Sequence, residues 1–343
     1  HWIWDKGWSE LRDIQAKAIG GILDSEDDVI LAATTAAGKT EAAFLPILST
    51  TASEKIDSFA VLYVSPLKAL INDQFRRLED LCERLELPVI KWHGDASAAA
   101  KAKAMQKPRG VVLITPESLE SLLVRRGPDV RRMVHDLRFI VIDELHAFLS
   151  GERGVHLASL LKRLDATAGR RIRKVGLSAT IGDFALAQYF LNPHGPQTVR
   201  LIESSLGQPE LRLQVRGYRE PDPEREGRKP EQERLVPAQT AIVGHVYQAL
   251  RGRNNLIFAS RRQAVESVAD ALGRLSEDKR VPNEFFPHHG SLSKTLREEL
   301  EERLKTGELP TTAVATTTLE LGIDIGSVAS VAQVGPPASI AGL

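Results

Sequence analysis

The feature that most constrains this chain is a short loop between an apolar stretch and an alanine-rich stretch. Residues 28–33 read Asp-Val-Ile-Leu-Ala-Ala, and residues 33–40 read Ala-Thr-Thr-Ala-Ala-Gly-Lys-Thr. The apolar run predicts a short buried strand, and residues 39–49 predict a helix. A strand, a loop and a helix in this order point the loop N–H groups and the positive end of the helix at an anion. The sequence therefore predicts a phosphate-binding loop.

The residue types in this loop indicate a nucleotide bound with a metal ion. We expect Lys39 to contact the β- and γ-phosphates and the Thr40 hydroxyl to ligate Mg²⁺. The rest of the loop that would surround the phosphates is Thr35, Ala36, Ala37 and Gly38. Ala33 and Ala36 stand where such loops commonly carry glycine, which weakens the match. The alternative is a helix N-terminus with an incidental Gly-Lys-Thr.

A second pattern lies about a hundred residues later. Residues 138–142, which are apolar after Arg138, have the length of a strand and are followed by Asp143 and Glu144. Carboxylates at the C-terminal end of a parallel strand lie in the crevice where ligands bind. We expect Asp143 to hold Mg²⁺, in part through water, and Glu144 to orient and deprotonate the attacking water. An acidic start to the next helix is the alternative, and it would be preferred without the phosphate loop.

Composition limits the possible classes of protein. With 343 residues, the chain is long enough for two domains. Lys plus Arg (45) equals Asp plus Glu (45), so a nucleic-acid partner would need a local basic surface. The single cysteine, Cys82, excludes a disulfide framework and indicates a core residue in a reducing cytoplasm. No apolar run is long enough to span a membrane, so we expect no membrane partner. We expect a cytoplasmic monomer. Because residue 1 is His, we expect a fragment.

Short apolar strands alternate with amphipathic helices, which predicts an α/β fold with parallel sheets. The first of these helices is predicted over residues 9–23. Polar or proline-bearing turns follow five strands of the first half, so these turns should share one functional edge of the sheet. A charged segment at 220–231 predicts a surface loop. We expect domains at 1–205 and 206–343.

The motifs occur in an order that resembles superfamily-2 helicases of the DExH type, and within them the large helicase-related (Lhr) group. They are residues 11–15, 33–40, 65–70, 115–119, 143–146, 178–180, 257–262, 288–293 and 315–326. The resemblance covers nearly the whole chain. It implies two RecA-like domains with ATP between them and single-stranded nucleic acid, DNA rather than RNA, across both.

The resemblance also implies roles for individual residues. Gln15 would read adenine, and Trp8 would either stack on the base or pack beside Trp2 and Trp4. Ser178 and Thr180 would couple nucleotide state to domain closure, and His146 would join the catalytic residues as their partner across the cleft. The alternative for His146 is an ordinary interfacial histidine. Nucleotide contacts from the second half are implied for Gly322 and Asp324. Nucleic-acid contacts are implied for Ser65, Pro66, Lys68, Thr115, Ser260, Arg261 and Thr317.

Some basic residues have a simpler interpretation. Arg261 and Arg262 could instead be an ordinary solvated helix start. The clusters at 131–132 and 170–174 are predicted to be solvated faces rather than binding surfaces.

In the resembled family the second domain ends in a helix whose arginines reach the γ-phosphate. Residues 333–343 stop where that helix should begin, so we expect binding of ATP and Mg²⁺ with slow hydrolysis. We also expect further C-terminal domains or protein partners. The resulting hypothesis is an ATP-dependent helicase or translocase in DNA repair or genome defence. The alternatives are an RNA helicase, an ATP-gated nucleic-acid clamp, and an ATPase acting on proteins or small molecules.

Overall fold

The computed structural model describes residues 2–34, 37–52, 54–179, 181–204, 212–219, 237–316 and 326–336. The chain divides into two compact units, His1–Gln208 and Pro209–Leu343. The predicted boundary after residue 205 and the predicted loop at 220–231 lie outside the described residues, as do residues 337–343.

Within the described part of the first unit, seven strands form one parallel sheet in the order β3-β4-β2-β5-β6-β1-β7. The strands are β1 Asp28–Ala32, β2 Phe59–Val64, β3 Val89–Trp92, β4 Gly110–Ile114, β5 Phe139–Ile142, β6 Arg173–Ser178 and β7 Val199–Glu203. The helices are α1 Trp2–Asp5, α2 Asp13–Leu23, α3 Lys39–Ala52, α4 Lys68–Glu83, α5 Ala98–Gln106, α6 Pro116–Arg125, α7 Gly127–Val134, α8 Gly151–Ala168 and α9 Phe184–Leu191. Short 3₁₀ turns occupy Leu145–Phe148 and Pro196–Thr198.

Apolar side chains cover both faces of this sheet. Ile30, Leu62 and Ile140 belong to one buried cluster, whereas their neighbours Val29 and Val61 belong to another. Because successive side chains of a strand point to opposite faces, the two clusters lie on the two sides of the sheet. A parallel sheet buried on both faces explains why its strands read as continuous apolar runs.

In the second unit, the described strands form a parallel sheet in the order β11-β8-β10-β9. They are β8 Asn255–Ala259, β9 Phe285–His288, β10 Thr312–Ala315 and β11 Ser330–Val334. Its helices are α10 Pro237–Leu250, α11 Arg262–Asp278 and α12 Lys294–Thr306. Two parallel-sheet α/β units confirm the predicted fold class. No helix in the described ranges is both long enough and apolar enough to cross a membrane.

Some local predictions were wrong. Helix α2 begins at Asp13 rather than at residue 9, because Arg12 is extended (φ −66°, ψ 152°) and its N–H donates to the Gln15 side chain at 3.0 Å. Strand β7 was missed because it is a partly exposed edge strand with no continuous apolar run.

The basic cluster at 170–174 is not a solvated face, because Arg173 and Lys174 are buried. The Arg173 guanidinium donates to backbone carbonyls, including that of Ile22 at 2.7 Å. The Lys174 ammonium pairs with Asp165 at 2.9 Å. These basic residues therefore stabilise the start of the sheet. Cys82 is fully buried, as predicted.

Candidate active site

The predicted phosphate loop follows β1 and leads into α3. Gly38 has a φ of +79°, and a Cβ atom there would lie 2.6 Å from Nε2 of Gln15, so only glycine fits this position. Lys39 is buried, and its Nζ donates to the Ala33 carbonyl at 2.7 Å. The ammonium group thus lies against its own loop. Of the other loop residues, Ala37 is partly buried against the core, whereas Thr35 and Ala36 lie outside the described residues.

The two predicted acids follow β5, and both are buried. Tyr63 Oη donates to Asp143 Oδ2 at 2.5 Å, and the Glu144 N–H donates to Asp143 Oδ1 at 3.0 Å. Glu144 has left-handed backbone angles (φ 47°, ψ 51°), which cost of order 1–3 kcal/mol for a residue with a side chain. Such a conformation persists only where its surroundings hold it, and it occurs most often at functional sites.

The charges of Lys39, Asp143 and Glu144 act on one another. Burial raises the pKa of the Asp143 carboxyl to about 6, and the Glu144 charge adds to the rise. Burial also raises the pKa of Glu144, while Lys39 opposes that rise. Burial lowers the pKa of Lys39, and both carboxylates oppose that change. The structure therefore brings together one ammonium and two carboxylates, at the edge of the sheet where ligands of α/β proteins bind.

His146 completes this cluster on the side of β6. Its Nδ1 lies 3.0 Å from Oγ of Ser178 and 3.4 Å from Oε2 of Glu144. Burial lowers the pKa of the imidazole, and Lys39 lowers it further. A neutral His146 with its proton on Nδ1 can donate to the Ser178 hydroxyl or to the Glu144 carboxylate, and so it links the acid to the end of β6. Thr180 lies outside the described residues, and the coupling roles of Ser178 and Thr180 stay predictions.

Gln15 lies beside the phosphate loop and is almost fully buried. Its Oε1 accepts the Arg12 N–H, whereas its buried Nε2 has no hydrogen-bond partner among the described residues. An unpaired buried donor is costly, so the position suits a ligand with an acceptor, such as adenine.

The tryptophans near the N-terminus pack together. Trp8 is partly buried and meets Trp2 edge to face, with the ring centroids 5.3 Å apart. This contact favours the packing alternative for Trp8 over base stacking. The idea that Trp4 shares this packing is wrong, because Trp4 is 84% exposed.

The oxygen groups available to a metal ion are those that Mg²⁺ prefers. Thr40 Oγ1 is buried and donates to Gln74 Oε1 at 3.0 Å, so its lone pairs stay available for a cation. No group of three or more His, Cys, Asp or Glu side chains in the described ranges could hold a metal by itself. Mg²⁺ commonly uses one or two carboxylates with water and phosphate oxygens, so Thr40 and Asp143 fit this ion.

The residues predicted to contact nucleic acid differ in exposure. In the first unit, Ser65 and Thr115 are buried, and the Thr115 hydroxyl caps α6 by accepting the Ser118 N–H at 3.3 Å. Contacts from these two positions would have to come from backbone groups. Lys68 is half exposed and pairs with Asp95 at 3.1 Å. The Pro66 carbonyl accepts from Arg153 at 2.5 Å.

In the second unit, Ser260 and Arg261 are exposed at the end of β8. Arg262, the first residue of α11, is also exposed and donates to Ser291 Oγ at 2.7 Å. Thr317, Gly322 and Asp324 lie outside the described residues.

Sequence reasoning missed two residues beside the acids and the loop, Tyr63 and Gln74. Each carried a signal. Tyr63 is the one polar side chain in the aliphatic and aromatic run of β2, and Gln74 lies among the buried residues of α4. A polar group in such a place needs a partner, which the sequence alone does not identify.

Comparison with known proteins places these features in a family. Residues 12–187 match the model of the DEAD/DEAH box helicases, and residues 238–343 match that of the helicase conserved C-terminal domain. The chain belongs to the DEAD/DEAH box helicases.

Individual relatives confirm the predicted resemblance to the Lhr group. The chain is 32% identical over 336 residues to the ATP-dependent helicase Lhr-Core of Methanothermobacter thermautotrophicus, covering 91% of this chain and 37% of the relative. It is 30% identical over 368 residues to the Lhr helicase/uracil glycosylase of Escherichia coli, covering 92% and 24%. A solved structure of Mycobacterium smegmatis helicase Lhr, bound to ssDNA and AMP-PNP, matches with a TM-score of 0.73 at 30% identity, covering 99% of this chain and 44% of that one. The chain thus spans less than half the length of these relatives.

Proposed function

We propose that this chain is the ATP-hydrolysing part of a helicase that moves on single-stranded nucleic acid, with DNA favoured over RNA. The observation that carries the proposal is the buried group of Lys39, Asp143 and Glu144, held around the phosphate loop and the end of β5. The M. smegmatis relative, solved with ssDNA and AMP-PNP, supports both the nucleotide and the choice of DNA.

Each residue of the site has a task in hydrolysis. Lys39 would exchange the Ala33 carbonyl for phosphate oxygens, and Gln15 Nε2 would donate to the base. Mg²⁺ held by Thr40 and Asp143 would neutralise charge that develops on the phosphates. Glu144 takes a proton from the attacking water onto its carboxylate, and its raised pKa brings it closer to that of an effective base at neutral pH.

The proposed grip on nucleic acid does not depend on base sequence. Lys68 offers an exposed ammonium that can leave Asp95 for a phosphate, and the backbone at Ser65 and Thr115 can add neutral contacts. Ser260 and Arg261 offer an exposed hydroxyl and guanidinium from the second unit. We further propose domains at 1–205 and 206–343 and a role in DNA repair or genome defence.

The deciding experiment is steady-state ATP hydrolysis by the chain, alone and extended by its natural continuation. Each is measured without nucleic acid, with single-stranded DNA and with single-stranded RNA, and Glu144→Gln serves as the background. We expect stimulation by DNA that exceeds stimulation by RNA. Stimulation by RNA alone would show that the nucleic acid on which the protein moves is RNA. Equal hydrolysis rates without nucleic acid, with DNA and with RNA would refute movement on nucleic acid.

A further inference from the structure

We infer that Tyr63 and Gln74 are positioning residues that fix the two oxygen groups proposed to hold Mg²⁺. Tyr63 holds the Asp143 carboxylate, and Gln74 holds the Thr40 hydroxyl. This inference rests on the function proposed above, because it concerns how the same nucleotide site is built.

The strand register places Tyr63 beside Asp143. In the β2–β5 pair Tyr63 lies opposite Val141, and Asp143 is two residues further along, so both side chains point to the same face. The Tyr63 ring is fully buried and packs against Phe44, with the ring centroids 6.0 Å apart. A hydroxyl in such an interior needs a hydrogen-bond partner, and it donates to Asp143 Oδ2 at 2.5 Å.

This bond fixes more than one residue. Asp143 Oδ1 accepts the Glu144 N–H at 3.0 Å, so each carboxylate oxygen holds one donor and the carboxylate plane cannot turn freely. The same N–H belongs to the residue with left-handed backbone angles. The Tyr63 hydroxyl therefore acts through Asp143 on the backbone position of Glu144 as well.

Gln74 does the corresponding work for Thr40. Both side chains are buried, and the Thr40 hydroxyl donates to Gln74 Oε1 at 3.0 Å. A hydroxyl whose O–H is held in one direction has its two lone pairs pointing away from that direction, and these lone pairs can coordinate a cation. Three residues further along α4, Arg77 pairs with Glu41 at 2.6 Å. This second link keeps α4 against the first turn of α3.

The two positioning residues belong to one continuous segment, residues 59–83, which comprises β2, a turn and α4. Three of the proposed nucleic-acid contacts of the first unit lie in this segment: Ser65 and Pro66 in the turn, and Lys68 at the start of α4. The segment that presents these contacts is therefore also the one that holds both metal-facing oxygen groups.

The test measures how Mg²⁺ changes the affinity for a fluorescent ATP analogue in Tyr63→Phe and Gln74→Leu. Tyr63→Phe removes one oxygen and keeps the ring. Residues that orient metal ligands typically affect metal affinity by about 10–100-fold, so we expect the Mg²⁺ concentration for half-maximal enhancement to rise by about tenfold or more. Affinity in EDTA should stay that of the wild type.

Matched controls lose a similar hydrogen bond away from the site. Tyr247→Phe removes a hydroxyl that accepts from Arg251, and Gln188→Leu removes an amide that donates to the Val199 carbonyl. Both should keep the wild-type Mg²⁺ dependence. Thermal melting without nucleotide verifies that each variant is folded.

The outcomes separate the inference from the proposed function. A wild-type protein whose nucleotide affinity does not respond to Mg²⁺ would refute the proposed function. A responsive wild type with an unchanged midpoint in either folded variant would refute the inference for that residue, as would equal losses with Mg²⁺ and in EDTA. If Tyr63→Phe does not fold, Tyr63 can be replaced with 3-fluorotyrosine, which keeps the hydrogen bond to Asp143 with a stronger donor. An unchanged Mg²⁺ concentration for half-maximal enhancement in that variant would refute the role of Tyr63.

Discussion

Replacing Glu144 by Gln should separate ATP binding from ATP hydrolysis. Gln has nearly the same shape as Glu, and the N–H of this residue would still donate to Asp143 Oδ1. The substitution removes the group that accepts the proton of the attacking water. A general base contributes roughly 10²–10⁴-fold, so kcat should fall by that factor, or about 2.7–5.5 kcal/mol in activation free energy.

Binding and stability should change little. Glu144 is 5% exposed, and burial disfavours its charged form, so a neutral amide relieves that penalty. Lys39 keeps Asp143 as a neighbouring carboxylate. We therefore expect a melting temperature near that of the wild type and an ATP affinity equal to or higher than it.

The assay follows labelled ATP in two ways, as bound nucleotide retained on a filter and as phosphate released over time. Glu152→Gln is the matched control, because Glu152 is exposed in the first turn of α8. It should hydrolyse ATP at the wild-type rate. Wild-type turnover in Glu144→Gln would remove this residue from the mechanism, and loss of ATP binding would show that its main role is structural.

Three further predictions use the same protein. Lys39→Ala should abolish ATP binding measured by fluorescence titration, because it removes the buried ammonium that the phosphate loop offers to the phosphates, whereas Lys162→Ala on the exposed face of α8 should bind normally. Gly110→Ala should lower the free energy of unfolding, measured by denaturant titration, by about 1–3 kcal/mol, because Gly110 has a φ of +84° and a Cβ there would lie 2.1 Å from a backbone carbonyl oxygen. Gly127→Ala is the control and should have little effect, because a Cβ at Gly127 would meet open space. Cys82 should resist alkylation at neutral pH until the protein unfolds, since burial raises its thiol pKa to about 12; rapid labelling of the folded protein would contradict this.

The sequence predicted those parts of the fold whose signal is local. Strands β1 and β5 lie within the predicted strand segments 28–33 and 138–142, because each is a short, mostly apolar run that ends at a polar loop or turn. Helix α2 was predicted four residues too long, because its start depends on a hydrogen bond from Arg12 to the Gln15 side chain. The burial of Arg173 and Lys174 was missed for a similar reason. Their partners lie on other elements, and charge alone indicates an exposed face.

By itself, the sequence determined the phosphate loop, the acids after β5 and the order of the motifs. Those features depend on residue type and short spacing along the chain, so they can be recognised without knowing which distant elements pack together. Only the tertiary structure decided which buried polar atoms pair. Tyr63 and Asp143 are 80 residues apart, and Thr40 and Gln74 are 34 apart. Tyr63 meets Asp143 because β2 lies beside β5, and Thr40 meets Gln74 because α3 and α4 cover the same face of the sheet. Both placements follow from burying the two faces of the sheet.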